Sequence, residues 1–144
     1  MARLAPLIRV RRRHVDDKQK ILARLYEQLN ALDIAAQNLK SRLAEEEALL
    51  AAQPELQIFT DFAGFSLRVR AELDHIADQS RKLEQRVDLA RDELRDAFAE
   101  LKKIEIIADA REAAVIKAIL KKETEMYDEI GLNRAIRQQK EERR

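Results

Sequence analysis

The stretch from Leu73 to Ala108, LDHIADQSRKLEQRVDLARDELRDAFAELKKIEIIA, decides the fold of this chain. Spacings that alternate between three and four residues select eleven positions in it, and ten of these are apolar. This alternation is the heptad pattern of a helix that packs against another helix along a narrow stripe. We call the eleven positions the second seam: Leu73, Ile76, Ser80, Leu83, Val87, Ala90, Leu94, Ala97, Leu101, Ile104 and Ala108.

A first seam with the same alternation precedes it in the chain. Nine of its eleven positions are apolar, the exceptions being Lys18 and Glu46. Two amphipathic helices on one chain bury their stripes against each other by folding back as an antiparallel hairpin. A parallel homodimer of straight chains is the competing geometry. The first seam consists of Val15, Lys18, Leu22, Leu25, Leu29, Leu32, Ala36, Leu39, Leu43, Glu46 and Leu50.

Composition supports an all-α fold. Of the 144 residues, 85 are Ala, Glu, Lys, Leu or Arg, above the share of about half that marks coiled coils and long helices. Only two glycines and two prolines are present, which excludes a turn-rich β sandwich or barrel. The sequence therefore predicts two long helices forming an antiparallel coiled-coil hairpin, with helix two longer than helix one.

The prolines and glycines predict where the helices begin and end. Pro6 is tolerated in a first helical turn, Pro54 disfavours helical geometry at the residue before it, and Gly64 costs a helix about 1 kcal/mol. Gly131 marks the expected end of helix two. The chain is thus predicted to be a single elongated hairpin over 1–144, with helix one at about 6–52, a tip at about 53–65, helix two at about 66–130 and a basic tail at 131–144.

Helix two is predicted to extend about 20 residues past the start of helix one. Apolar residues on this unpaired extension imply a partner, because long solitary helices need tertiary packing to persist. Homodimer packing, crystal packing or simple fraying is the alternative. The apolar residues concerned are Val115, Ile116, Ile119, Leu120, Met126 and Tyr127.

Charge is unevenly distributed along the chain. Residues 1–20 hold seven basic residues against two acidic ones, and residues 131–144 hold five against two, although the whole chain carries only +1. An antiparallel hairpin brings both basic ends together and leaves an acidic shaft.

The residues that usually carry enzyme chemistry are scarce. The chain has no cysteine, its two histidines His14 and His75 are predicted to lie far apart, and its two glycines do not form a phosphate-binding loop. We therefore expect a protein that is not an enzyme and that uses no cofactor, metal or small-molecule substrate. No apolar run reaches the roughly 18 residues of a membrane span, and the run from Ala2 to Ile8 is too short for a signal-peptide core, which predicts a cytoplasmic protein.

A short basic run from Arg9 to His14 raises the question of nucleic-acid binding. It contains no aromatic residue, and Asp16 and Asp17 follow at once. A solvated helix end or a protein-docking patch therefore explains it better than a nucleic-acid site.

Three of the four phenylalanines, Phe59, Phe62 and Phe65, lie within seven residues in the predicted tip. They could cap the open end of the two-helix seam together with Leu56 and Ile58. At least one ring could instead be an exposed anchor for a partner, because aromatic residues dominate interface hot spots. Both roles can hold for different rings.

Two motifs carry a resemblance to a known family. The first is Leu4-x-x-Leu7-Ile8-x-Val10-Arg11, followed by an aspartate and a Leu/Ala heptad; the second is Lys122-Glu123-x-Glu125-Met126-x-Asp128-Glu129-Ile130, followed by two arginines. In these motifs, and in its long hairpin with a longer second helix, the chain resembles the flagellar export protein FliJ and its injectisome counterparts of the YscO type. The resemblance covers most of the chain.

The resemblance implies a protein similar to the central stalk of rotary ATPases. The end with both termini would sit in the pore of the hexameric export ATPase and promote its assembly and activity. The shaft or tip would contact the export-gate membrane protein at the cytoplasmic face of the inner membrane and escort export chaperones. Phe59, Phe62 and Phe65 would lie toward the gate. The ring-docking candidates carried over are Arg9, Arg11, Arg12, Arg13, Lys121, Lys122, Arg134 and Arg137.

A generic coiled-coil scaffold that dimerises and tethers two partners, without regulating an ATPase, is the alternative function. A monomer in solution favours the stalk, and a stable homodimer favours the scaffold. The sequence leaves the choice between a flagellar and an injectisome system open.

Overall fold

The computed structural model describes residues 4–143. These residues form two helices packed against each other, α1 (Leu4–Ala52) and α2 (Leu56–Glu142), and no strand. The predicted all-α fold with a longer second helix is confirmed. The first three residues and Arg144 lie outside the described residues, so that two of the charges counted at the basic ends, Arg3 and Arg144, have no structural description.

Contacts within the chain define two units. One is Arg13–Phe98, and the other joins the described residues up to Arg12 to those from Ala99 onward. The prediction of one hairpin over the whole chain stays a prediction.

In the unit Arg13–Phe98, α1 and α2 run antiparallel. Lys18, early in α1, contacts Glu93, far along α2, while Arg42, late in α1, lies over the ring of Phe65, early in α2. The two seams form the core between them: of the first seam only Glu46 is exposed, and no member of the second seam in this unit is. The apolar residues buried in this unit are Val15, Val69, Ile76, Val87, Ala90 and Ala97.

In the other unit, the start of α1 packs against α2 over a short distance. Leu101 is buried, Ile104 and Ala108 are half-buried, and Arg12 forms an ion pair of 3.6 Å with Glu105. From Asp109 to Arg143 every residue is exposed. We call Asp109–Arg143 the exposed segment; it remains helical as far as Glu142.

The connection between the helices is much shorter than the predicted tip of 53–65. Only Gln53, Pro54 and Glu55 separate α1 from α2, and the Phe59 amide already donates to the Glu55 carbonyl at 3.0 Å. The predicted start of helix two near 66 is therefore wrong. Gly64 costs the helix about 1 kcal/mol, and this cost is offset because side chains around it are buried or half-buried against α1.

The predicted end of helix two near residue 130 is also wrong, because α2 continues through Gly131 to Glu142. A single glycine lowers helix stability by only about 1 kcal/mol, and Gly131 does not have the positive φ of a helix-ending glycine. At the other end, α1 is described from Leu4, close to the predicted start near Pro6, and its end at Ala52 agrees with the predicted bound of about 52.

Candidate partner-binding surfaces

The basic residues near the start of α1 differ in their surroundings. Arg9 and Arg13 are exposed, and Arg12 is exposed but paired with Glu105. Arg11 is partly buried, and its Nε atom is buried without a hydrogen-bond partner. Position 11 continues the 3-4 spacing of the first seam toward the N-terminus, which explains why this arginine turns inward. Three of the four arginines are therefore accessible to a partner.

The other four predicted docking residues, Lys121, Lys122, Arg134 and Arg137, all lie in the exposed segment. Lys121 is 16 residues beyond Glu105 on α2, or about 24 Å along the helix axis. Because Arg12 pairs with Glu105, the arginines Arg9–Arg12 are not brought into one cluster with the cations of the exposed segment, which belongs to the same unit. They form two separate basic surfaces.

An apolar stripe runs along the exposed segment. At 100° per residue its members fall within about 140° of arc, and their exposed fractions range from 47% for Ile130 to 73% for Tyr127. The six apolar residues predicted to need a partner are among them, and their exposure is as predicted. We define the apolar stripe as Val115, Ile116, Ile119, Leu120, Met126, Tyr127 and Ile130.

The phenylalanines near the connection divide into two kinds. Phe62 and Phe65 are half-buried, and the guanidinium carbon of Arg42 lies 5.7 Å from the centre of the Phe65 ring, within cation–π range. Phe59 is 58% exposed, and the neighbouring Leu56 is 83% exposed. All three rings are on α2, one helical turn apart. Their spacing of three residues was a helical signal that the prediction of a non-helical tip overlooked.

A groove of about 800 Å³ between α1 and α2 was not predicted from the sequence. It lies in the unit Arg13–Phe98, where Ala31 and Leu32 of α1 face Leu83 and Leu89 of α2. Leu89 is 60% exposed although it is flanked by seam residues. The small side chain of Ala31, opposite apolar residues of α2, was the available sequence signal for this groove. Which residues lie opposite Ala31 depends on the register between the helices, and the heptads alone do not give that register.

Ion pairs lie on the surfaces of the helices. Lys18 Nζ lies 2.8 Å from Glu93 Oε2 across the two helices. On α2, hydrogen bonds from Arg81 and from Lys82 hold the pKa of Asp78 below its ordinary value of 3.8. Asp78 sits on an open helix face, so its pKa marks a surface ion pair and not a catalytic group.

Residues 4–143 contain no group of three or more His, Cys, Asp or Glu side chains placed to hold a metal ion. Within the same residues, no helix is both long and apolar enough to cross a membrane. What these residues do present is basic, apolar and aromatic helix surface, which suits contacts with other proteins.

The family described as Flagellar FliJ protein matches residues 1–140. The chain belongs to the FliJ family. This FliJ-family chain is therefore a component of the flagellar protein export apparatus, and the resemblance drawn from the sequence motifs is confirmed. No curated protein and no solved structure is significantly similar to the chain.

Proposed function

We propose that this chain is a non-enzymatic stalk that docks into the hexameric export ATPase and stimulates it, contacts the export-gate membrane protein, and escorts export chaperones at the cytoplasmic face of the inner membrane. The observation that carries the proposal is the exposed segment, a helix whose residues are all exposed although it bears an apolar stripe. Contiguous exposed apolar surface marks an interaction site.

The exposed segment suits the pore of a ring of subunits for two reasons. A single helix is only about 10–12 Å across with its side chains, and it presents apolar and charged groups around its whole circumference. Its cations include Lys121, Lys122, Arg134 and Arg137. The exposed Arg9, Arg12 and Arg13 at the start of α1, with the partly buried Arg11 beside them, supply a second basic surface. Docking acts on the ring by binding one arrangement of its subunits better than others, so that the stalk shifts their populations without performing hydrolysis.

The ATPase role is tested by adding the purified chain to the export ATPase and measuring turnover and hexamer formation. We expect the intact chain to raise both. The double variant Arg134→Glu and Arg137→Glu should need at least about tenfold more protein for the same stimulation, since it reverses two proposed contacts.

The matched control is Arg68→Glu with Arg70→Glu, which changes the net charge equally at two exposed positions in the unit Arg13–Phe98. It should stimulate like the unchanged chain. Absence of any stimulation by the intact chain would reject the stalk, and an equal loss in both double variants would reject docking through the exposed segment.

The proposed gate contact lies at Phe59, Phe62 and Phe65. Phe59 is the ring with the most surface left for a partner, whereas Phe62 and Phe65 already pack within the chain. We therefore expect Phe59→Ala to weaken capture of the export-gate protein while leaving the free energy of unfolding within about 0.5 kcal/mol.

Phe65→Ala is the comparison variant. It should lower the free energy of unfolding by about 1–2 kcal/mol, less than the 3–5 kcal/mol typical of a fully buried phenylalanine, because the ring is half-buried. If both variants lose stability and capture of the export-gate protein to the same extent, Phe59 is not an anchor for the gate.

A further inference from the structure

The exposed segment carries its charges in blocks of alternating sign. Residues 117–122 contain three lysines and no acidic residue, residues 123–129 contain four acidic residues and no basic one, and residues 130–137 contain two arginines and no acidic residue. Residues 109–116 carry one more acidic than basic residue. A pattern of this kind can complement itself only in certain registers.

We infer that the exposed segment binds a second copy of this chain, antiparallel, about a two-fold axis near Glu123. In that register residues 117–122 lie opposite 124–129 of the other copy, which sets three positive charges against three negative ones twice in the dimer. Residues 109–116 lie opposite 130–137, again with opposite net charge. A parallel, in-register pair sets every block against its own sign, which is destabilising.

The flanks of the apolar stripe agree with this register. At 100° per residue, Lys117, Lys121 and Asp128 lie on one side of the stripe, and Lys122 and Glu125 lie on the other. In an antiparallel pair related by a two-fold axis, each flank meets the same flank of the other copy. Lys117 and Lys121 then approach Asp128, and Lys122 approaches Glu125.

The stripe itself is complementary in the same register. Ile116 lies opposite Ile130, and Leu120 lies opposite Met126, so apolar residues meet along the seam. The overlap of residues 109–137 is about four heptads, enough for a two-helix coiled coil. Glu123 is the charged residue within the arc of the stripe over residues 115–130, and on the axis it faces its own copy. This repulsion keeps the dimer weak and therefore exchangeable.

The dimer covers the same helix face that the stalk proposal gives to the ATPase, so self-association and docking exclude each other. The inference does not rest on the proposed function, because it concerns the protein alone. A failure of the dimer leaves the stimulation test above unaffected.

The test is sedimentation equilibrium of the full chain at low and high salt. We expect a reversible dimer that weakens as salt screens the charge pairs. Two triple variants, Lys117→Glu with Lys121→Glu and Lys122→Glu, and Glu125→Lys with Asp128→Lys and Glu129→Lys, should each weaken the dimer at least about tenfold. Mixing the two triple variants should restore a heterodimer, since opposite charges then meet at every block.

Two controls keep the test specific. Reversal of Lys20, Arg24 and Arg68 to Glu changes the net charge equally at exposed positions outside the segment and should leave the dimer unchanged. Glu123→Gln should tighten the dimer, because it removes the repulsion on the axis. Circular dichroism of each variant verifies that helix content is retained.

Orientation is read from engineered cysteines, which the natural chain lacks. With diamide as oxidant, Ile116→Cys and Ile130→Cys should each stay monomeric alone and form a covalent dimer when mixed. A covalent dimer of Ile116→Cys alone shows a parallel pair and overturns the inference. A chain that remains monomeric at about 100 μM in low salt, or a dimer insensitive to both triple variants, also overturns it.

Discussion

Two stretches of the same helix, Leu73–Ala108 and Asp109–Glu142, differ in the burial of their apolar stripes. In the first, none of the eleven seam positions is exposed, whereas in the second every residue is. Both stretches are helical and rich in charged and aliphatic residues. An apolar stripe that has no partner within the described residues points to another molecule.

The difference follows which turns of α2 lie beside α1 among the described residues. Arg12 pairs with Glu105, and before Val15 the seam-spaced positions that the structure describes are Arg11, Ile8 and Leu4, each partly buried. One helix can cover only the turns of its neighbour that lie beside it. Among the described residues, the apolar ones from Val115 onward are exposed although they resemble those of the seam in type.

The largest expected effect contrasts two valines of α2. Val87 is 5% exposed and Val115 is 50% exposed. We expect Val87→Asp to lower the free energy of unfolding by about 3 kcal/mol or more, because it buries an unpaired carboxylate in the seam. Val115→Asp should change it by less than about 0.5 kcal/mol. Urea unfolding followed by circular dichroism at micromolar protein concentration provides the measurement.

Val115→Asp should nevertheless weaken whatever binds the stripe, both the second copy and the ATPase. This separates the two stretches by function as well as by stability. Similar losses of stability in the two variants would show that the exposed segment is packed in the free chain, and would undo the comparison.

A smaller effect is expected for the ion pair inside the paired stretch. Lys18 is a charged member of the first seam, its side chain is 24% exposed, and it contacts Glu93 at 2.8 Å. In a double-mutant cycle, Lys18→Glu and Glu93→Lys should each destabilise the fold, and the swapped double variant should recover about 1 kcal/mol of coupling. The same cycle applied to Lys121 and Glu93 is the control. If the coupling energy between Lys121 and Glu93 equals that between Lys18 and Glu93, the contact between Lys18 and Glu93 is not specific.

The two seams could be predicted from the sequence because apolar residues at heptad spacing lie on the helix face that is buried against the other helix. Ser80 and Lys18, the polar members, are shielded with the rest, and Glu46 is the member that stays exposed. Glu46 lies near the end of α1, where the seam leads to the connection.

The helix ends were harder to predict, because single glycines and prolines were weighed without the contacts around them. Pro54 did end α1, since its effect on the preceding backbone is steric and local. Gly64 and Gly131 did not interrupt α2, because a loss of about 1 kcal/mol of helix stability at each is small for a helix of 87 residues. The partner-binding surfaces could be located from composition. The inward orientation of Arg11 could not, because it depends on the register between the helices.

The smallest expected effect is that of pH on Asp78. Hydrogen bonds from Arg81 and Lys82 lower its pKa in the folded chain below 3.8. The pair therefore contributes its stability fully above pH of about 4, and loses it as the pH falls through the lowered pKa of the folded state.

Asp78→Asn should accordingly leave the pH dependence of unfolding unchanged above pH 5 and flatten it slightly between about pH 4 and pH 2. The side chain is 43% exposed, so the flattening should be close to the limit of detection. Unfolding midpoints in urea across this range measure it, with Asp109→Asn in the exposed segment as the matched control. A clear change in the unfolding midpoint above pH 5 would mean that Asp78 contacts groups other than Arg81 and Lys82. The open face of α2 in the paired stretch would then be more constrained than the exposed segment.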